Sequence, residues 1–556
     1  MTVDPPAVIQ AWADTVLHGG RILTVDADFT IAEAVAIRDG RIQLVGSDTA
    51  VLACADADTA TYDLEGRTVI PGLIDSHVHL KQVGVNRERI TLFDARSIDD
   101  VLDAIGRVAD ETPSGEWLMA ASGWHESQLK EARLPTATEL DTVAPEHPVF
   151  VPRGGHVAVL NSVGLTRAGI DADTPDPDGG TIVRDPGTGE PTGVVLEEAR
   201  SQLVEPVLPE REYTDRLAAI ERGMAELNSR GVTAALEPGL TRDDLRAYQQ
   251  IASEGRATVR TDALVRIHTL EDVEGLAAHY HPGFGNEFLK IGGVKYLLDG
   301  GVEGAYLDDA YEVVEGVQED ADYHGHLILP PGGENELREM FMLAAERGHQ
   351  VQTHVVGDAA IEVLLDAYEA VAAEHPIDQL RWAAMHVFLP TDEQLERMRE
   401  LGLVVTAQNH PTYLGLNMRK WWGDERASRA IPVRTMLNAG LTVGGGTDAP
   451  VVPWFPFDSL WWLTTRDTVT AGTLGPVEAV DRKTALRLWT GHSAYTMGWE
   501  DELGSIEIGK RADLAVLSTD YLDCPGDAIK DINVTMTMVG GESVYAASDW
   551  PYHTVE

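Results

Sequence analysis

Cysteine is nearly absent. Two residues, Cys54 and Cys524, in a chain of 556 are too few for a disulfide framework, so secretion is not the expectation. Lysine is scarce as well, with 8 among 43 basic residues, and these face 90 Asp and Glu for a formal charge of -47. A surface of that sign repels nucleic acid. Apolar runs of about 18 residues are missing, and the N-terminus MTVDPPAVIQAWADTVLHGG has no basic segment followed by an apolar one. The chain is therefore expected in the cytoplasm, without nucleic-acid or membrane partners.

What is present reads as globular: 44% hydrophobic and 24% charged residues, with 53 Gly against 28 Pro, exclude a disordered or collagen-like chain. The length predicts one large domain with smaller accessories. Acidic residues spread over the whole chain instead of forming a tail, which suggests a halophilic protein. Molar salt shortens the Debye length to about 3 Å and relieves self-repulsion that dilute buffer leaves in place. An acidic mesophilic enzyme is the alternative on composition.

Residues 15 to 70 alternate apolar stretches with turn signals, and Gly19-Gly20 and Asp39-Gly40 sit where two-residue hairpin loops belong. A similar pattern returns in LGSIEIGKRADLAVLS and TMTMVGGESVYA. Both ends thus read as β, and 1–70 with 496–556 are expected to form one composite β-sandwich. Between 71 and 495 apolar strands such as GVTAALE, FLKIGGVKYLLDG, HQVQTHVVG and GLVVTAQ alternate with helical stretches such as ELREMFMLAAERG. About eight such units close a (β/α)8 TIM barrel of the α/β class; a doubly wound open sheet competes, but titratable residues at the ends of several strands favour the barrel. The irregular Gly-, Pro- and Asp-rich stretch at about 81–205 is too long for a bare connection and is read as an inserted subdomain or lid.

In VIPGLIDSHVHL, His77 and His79 follow an apolar run two residues apart. On a strand they face the same side and can reach one metal ion. Alone, this pair reads more readily as two ordinary histidines. His354 and His386 also close apolar runs, as does Asp448 in TVGGGTDAP. Lys295 lies inside IGGVKYLLDG, where apolar surroundings depress the ammonium pKa. A neutral amine there can form a carbamate with carbon dioxide; an ion pair with Asp299 is the other reading. Imidazoles and a carboxylate at successive strand ends suit one or two divalent metals, zinc by default, with iron or manganese fitting the same residues.

The chain resembles the amidohydrolase superfamily, and within it the N-substituted formamide deformylase-like metal-dependent hydrolases. The resemblance spans nearly the whole length. It rests on the strand into His77 and His79, GWHES, PRGGHVAVLNSVGL, TPDPDGGTIVRDPGTGEPTGVVLEEA, GGVKYLLDG, THVVGDAA, GGGTDAPVVP and GSIEIGKRADLAVL. It implies that His77 and His79 bind one metal, that Lys295 as a carbamate bridges two, that His354 and His386 bind the second, and that Asp448 completes the first. It further implies hydrolysis of a non-peptide carbon–nitrogen bond by a metal-activated hydroxide, with Asp448 as general base.

By the same resemblance His156, Trp124 and His125 are expected to contact a small-molecule substrate; relatives more often carry an acid where this chain has His125. A structural role for His156 stays open. Trp421, Trp422, Trp454, Trp461 and Trp462 read as packing more readily than as pocket lining, Asn161 and Ser162 as turn or capping residues, and the Gly444–Gly446 run as a strand-end turn and not a phosphate loop. Family members are often dimers, so a homodimer is an expectation. A metallohydrolase of esters, cyclic amides or amino-substituted rings is the alternative function, and a barrel retained only for binding is a further one.

Overall fold

The computed structural model describes residues 12–314, 320–548 and 550–551. The start of the chain, read above as having no leader, lies outside the described residues.

Eight parallel strands run in sequence order around a (β/α)8 barrel: β1 (Leu73–Asp75), β2 (Val232–Leu240), β3 (Arg260–Arg266), β4 (Leu289–Leu297), β5 (Gln350–Val355), β6 (Ala383–His386), β7 (Val404–Gln408) and β8 (Thr442–Gly446). The ring closes where the Ser76 N–H donates to the Gly445 carbonyl at 3.0 Å and the Asp448 N–H to the His77 carbonyl at 2.7 Å. Strands of this kind are covered on both faces, which is why they read as continuous apolar runs. The open-sheet alternative is thereby removed. Ile74, Leu236, Leu264 and Met385 fill part of the interior with Met497, Trp499 and Leu503, so the barrel is plugged and its chemistry is confined to the mouth.

One interior residue is out of keeping. Asp262, on β3, is buried, and its Oδ1 has no hydrogen-bond partner. Gly292 leaves the room it occupies, since a Cβ there would fall 2.3 Å from that oxygen. Burial pushes the Asp262 carboxyl up to about 7, with Lys290 opposing. An acid whose folded pKa is raised contributes full stability below its unfolded value, near 4, and loses it as pH rises through about 7. In urea unfolding, Asp262→Asn should therefore gain a few kcal/mol on the wild type between pH 4 and 8. A gap that stays constant with pH would mean that Asp262 is not ionising there.

Two further sheets bring the chain ends together. One runs Arg41–Gly46, Ala34–Arg38, Thr15–His18, Ala60–Asp63; the other runs Glu542–Ala546, Val534–Val539, Leu514–Leu517, Thr68–Pro71, Arg21–Leu23, Ile31–Ala32. Val69 pairs with Val516 across the second sheet, and Leu17, Val35, Val69, Leu514 and Met536 belong to one buried cluster. Asp39 and Gly40, at φ 49° and 72°, form the expected hairpin turn between adjacent strands. Gly19-Gly20 does not. The strands before and after it lie in different sheets, so this pair carries the chain from one sheet to the other; a Cβ on Gly20 would sit 2.3 Å from Leu64 Cδ1.

Between β1 and β2 the chain builds a third sheet, ordered Gly180–Arg184, Pro191–Glu197, Val157–Leu160, Val149–Arg153, Leu118–Met119. It matters for function because Arg153, His156 and Glu197 come from its strand ends. No helix among the described residues is long and apolar enough to cross a membrane.

Candidate metal centre and substrate cleft

The residues after β1 and β8 are held in one unit. Asp75 accepts from the His77 and Thr447 N–H groups at 3.1 and 3.0 Å and from the Thr447 hydroxyl at 2.7 Å. Two strand ends 372 residues apart are thereby clamped one residue short of Asp448. Gly446 permits the approach, since a Cβ there would lie 2.9 Å from both His77 N and Asp75 Oδ1.

Asp448 is the centre of the cluster. Its Oδ1 lies 3.2 Å from His77 Nε2 and 3.2 Å from His79 Nε2, and its Oδ2 lies 3.0 Å from His410 Nε2. Burial alone would raise the Asp448 carboxyl, but the adjacent His77, with His410 and His79 alongside, holds it well below the usual range. Burial takes His77 down to about 3 against the opposing pull of Asp448. The imidazole is thus neutral and the carboxylate ionised, the states in which both ligate metals.

His386 donates from Nδ1 to Gln408 Oε1 at 2.7 Å, which leaves Nε2 with a free lone pair. Its ring stands 4.7 Å from that of His77, 4.5 Å from that of His354 and 5.5 Å from that of His410. His354 Nε2 lies 3.2 Å from the Gly300 carbonyl, and burial holds both His354 and His386 well below the ordinary imidazole range. His386 and Asp448 have φ of 75° and 58°, a conformation that non-glycine residues adopt at an energetic cost and that accumulates at functional sites.

This donor set fits a divalent metal. Asp448 Oδ1 is buried without a hydrogen-bond partner, as is His77 Nδ1. Ligands about 2.1 Å from a tetrahedral ion lie about 3.4 Å apart, close to the 3.2 Å separations of Asp448 from His77 and His79. His77, His79 and Asp448 form one group able to hold an ion, and His386, His410 and Asp448 a second. His354 belongs to neither. Lys295 is buried, with Nζ against Met385 Sδ, and burial lowers it to about 7. The alternative pairing with Asp299 is not formed: Asp299 accepts instead from the Val356, Gly357 and Tyr306 N–H groups.

A narrow cleft opens over His354, His386, His410 and Asp448. His125 and His156 both line it; Trp124 does not. The backbone at His125 is extended, so neighbouring side chains diverge, and Trp124 packs behind the wall with Nε1 donating to the Pro152 carbonyl at 2.9 Å. His156 Nδ1 lies 2.7 Å from Glu197 Oε2, and although burial would lower it, Glu197 outweighs this and raises it. None of the five tryptophans weighed above lines this cleft.

Reading the sequence missed four members of the site. His410 is one; the others are Arg153, Glu126 and Glu303. Arg153 donates to Glu303 at 2.6 Å and lies 3.0 Å from Glu126, and Asn417 bridges the two acids at 2.7 and 3.2 Å. Burial alone would raise the Glu126 carboxyl; the Arg153 charge outweighs it and holds the group at about 2.

A model of the Amidohydrolase family matches residues 60–545. An N-substituted formamide deformylase of Arthrobacter pascens is 30% identical, with 95% of this chain and 97% of that protein covered. A putative amidohydrolase, YtcJ, of Bacillus subtilis is 28% identical, with 96% and 99% covered. Among solved structures, an uncharacterized metal-dependent hydrolase from Pyrococcus horikoshii superposes with a TM-score of 0.72 at 25% identity, with 92% of this chain and 99% of that one covered.

Proposed function

The chain belongs to the amidohydrolase family, and on that premise we propose that it is a metal-dependent hydrolase of a non-peptide amide outside a ring. The observation that carries this reading is the buried, ionised Asp448 carboxylate shared between His77, His79 and His410 at the barrel mouth. The deformylase relative supports a carbon–nitrogen bond as the target.

In this reading His77, His79 and Asp448 would hold one metal, and His354 and His386 a second. Lys295, whose neutral amine can take up carbon dioxide with loss of a proton to give a carbamate, would supply further oxygen ligands. Zinc suits the imidazoles best. A bound divalent ion lowers the pKa of water towards about 7 and polarises a carbonyl. Asp448 takes a proton from the attacking water and passes it to the leaving nitrogen, while the His410 imidazole fixes the carboxylate in one orientation. His156, held by Glu197, donates to the substrate carbonyl from Nε2, and His125 contacts the part of the substrate farther from the scissile bond. The aliphatic side chains of Val302, Val356, Leu414 and Val451 in the cleft wall reduce access of bulk water.

Composition supports a high-salt cytoplasm as the setting, and the pairing of both chain ends supports reading the two terminal sheets as one sandwich unit beside the barrel. A homodimer is carried over from the family. The test is metal content by plasma mass spectrometry together with turnover of N-substituted formamides, for wild type and Lys295→Ala, in 0.2 and 2 M potassium chloride. Two equivalents should fall to one or none in the variant, chelation should abolish turnover, and the wild type should be stable only at the higher salt. A wild type that binds no metal would remove the hydrolase reading; equal stability in both salts would remove the halophilic one.

A further inference from the structure

Of the two histidines that meet Asp448 Oδ1, packing fixes only one. The His77 side chain is 1% exposed and that of His79 is 35%. A partly open imidazole cannot take its direction from a surrounding core, so the support for His79 has to come from the backbone beneath it.

That backbone is tied on two sides. The His79 N–H donates to the Ala449 carbonyl at 2.8 Å, and the Val78 N–H to the Leu236 carbonyl on β2 at 3.0 Å. The helix Leu80–Asn86 begins at His79, whose side chain is turned to Asp448 and caps none of the free N–H groups of the first turn. One of those groups is taken by β2 instead: Glu237 Oε2 accepts from the Lys81 N–H at 3.2 Å.

Glu237 is itself locked. It is buried, and the same Oε2 accepts at 2.6 Å from the hydroxyl of Tyr248, on the helix Arg242–Ser253. Asp244 of that helix takes the Lys81 ammonium at 2.8 Å and Arg216 at 2.9 Å. Lys81 is thus gripped twice, through its N–H and through its side chain, by one strand–helix unit. Glu237 belongs to neither of the groups around Asp448 that could hold an ion, so whatever it does for the centre it does through His79.

We propose that Glu237 is a positioning residue for the metal centre: by holding the Lys81 N–H against β2 it fixes the start of the helix, and with it the direction in which the His79 imidazole points. The inference rests on the metal-dependent reading in taking His79 as a ligand.

The test is cobalt(II) titration of the full-length, chelator-treated protein in the salt that keeps it folded, followed by visible absorption and by competition with a chromophoric chelator. Wild type is compared with Glu237→Ala, Glu237→Asp and Glu237→Gln. His79→Ala is the reference for a lost ligand, and the metal-free melting temperature measures any purely structural effect. Glu237→Ala should weaken the tightest cobalt binding by about tenfold or more and move the absorption bands towards those of His79→Ala. Glu237→Gln, whose amide oxygen can accept from both Lys81 and Tyr248, should keep the wild-type bands and most of the affinity. Glu237→Asp keeps the charge but withdraws it by one methylene, and should lie with Glu237→Ala; this pair separates position from charge even where Glu237→Ala does not fold. Wild-type bands in Glu237→Asp, with or without a lowered melting temperature, overturn the proposal, as does a Glu237→Gln that binds as weakly as Glu237→Asp. A wild type that takes up no cobalt removes the metal-dependent reading and this inference with it; cobalt uptake indifferent to Glu237 removes the inference alone.

Discussion

Asp448→Asn should lower kcat/KM on any substrate of the protein by about 10³-fold or more, while leaving the chain folded. Two effects combine. The carboxamide cannot accept the proton that Asp448 would take, a role worth about 10²–10⁴-fold, and it contributes a weaker ligand to the group formed with His77 and His79. Metal content separates them. His77→Ala should release metal outright, whereas Asp448→Asn keeps an oxygen in place and should retain a measurable fraction of it. With that single oxygen facing His77 and His79, the NH2 group takes the position of Oδ2, so His410 loses its acceptor at 3.0 Å in the variant. Turnover within tenfold of wild type with metal retained would show that the proton goes elsewhere.

The second large effect is on stability. Arg153→Met should cost about 3–5 kcal/mol in equilibrium unfolding near neutral pH, because removing one partner of a buried ion pair leaves its charge uncompensated. Here two charges are left. Glu126 and Glu303 both face Arg153, and all three are buried. The pH dependence should change sense as well. With Arg153 present, Glu126 sits at about 2, below its unfolded value, so it contributes stability that persists above pH 5 and is lost only as pH falls towards 2. Without Arg153, burial raises both carboxyls, and stability falls as pH rises through their new values. Arg153→Met combined with Glu126→Gln and Glu303→Gln should recover most of the loss. A single variant that loses under 1 kcal/mol would mean that the three side chains are solvated in solution.

These two sites differ in how far the sequence discloses them. His77, His79, His354, His386 and Asp448 each interrupt or close an apolar run, because a barrel strand is apolar along its covered length and turns polar where it reaches the mouth. That change of character is local, so it can be read from one chain. His410 follows the run GLVVTAQ by two residues and opens the helix His410–Arg429; the same reasoning extended slightly beyond the strand would have found it. The Arg153 network has no such mark. Glu126 and Glu303 stand 177 positions apart in the sequence, and their meeting depends on how the inserted sheet docks on the barrel, a tertiary matter with no period or spacing behind it.

In GWHES the chemistry is displaced by one residue from where the sequence directs attention. His125 does reach the cleft, but Trp124 turns away and Glu126 carries the ion pair. The hairpin expected at Gly19-Gly20 failed for a related reason. A two-residue glycine turn specifies a sharp change of direction, and only the packing of Leu64 against Gly20 decides whether the next strand returns beside the last or departs into another sheet.

The pairing of Val69 with Val516 has a consequence for how the protein is made. The strand Thr68–Pro71 leads straight into β1 and so into His77 and His79, yet its partner Leu514–Leu517 lies 446 positions later in the chain and emerges from the ribosome correspondingly late. At about 5–20 residues per second, the early strand waits on the order of 20–90 s with one edge open. For that interval an unpaired edge is a template for neighbouring nascent chains on the same message. Translation speed and chaperone supply, more than the strength of any finished contact, would then set the yield of folded protein.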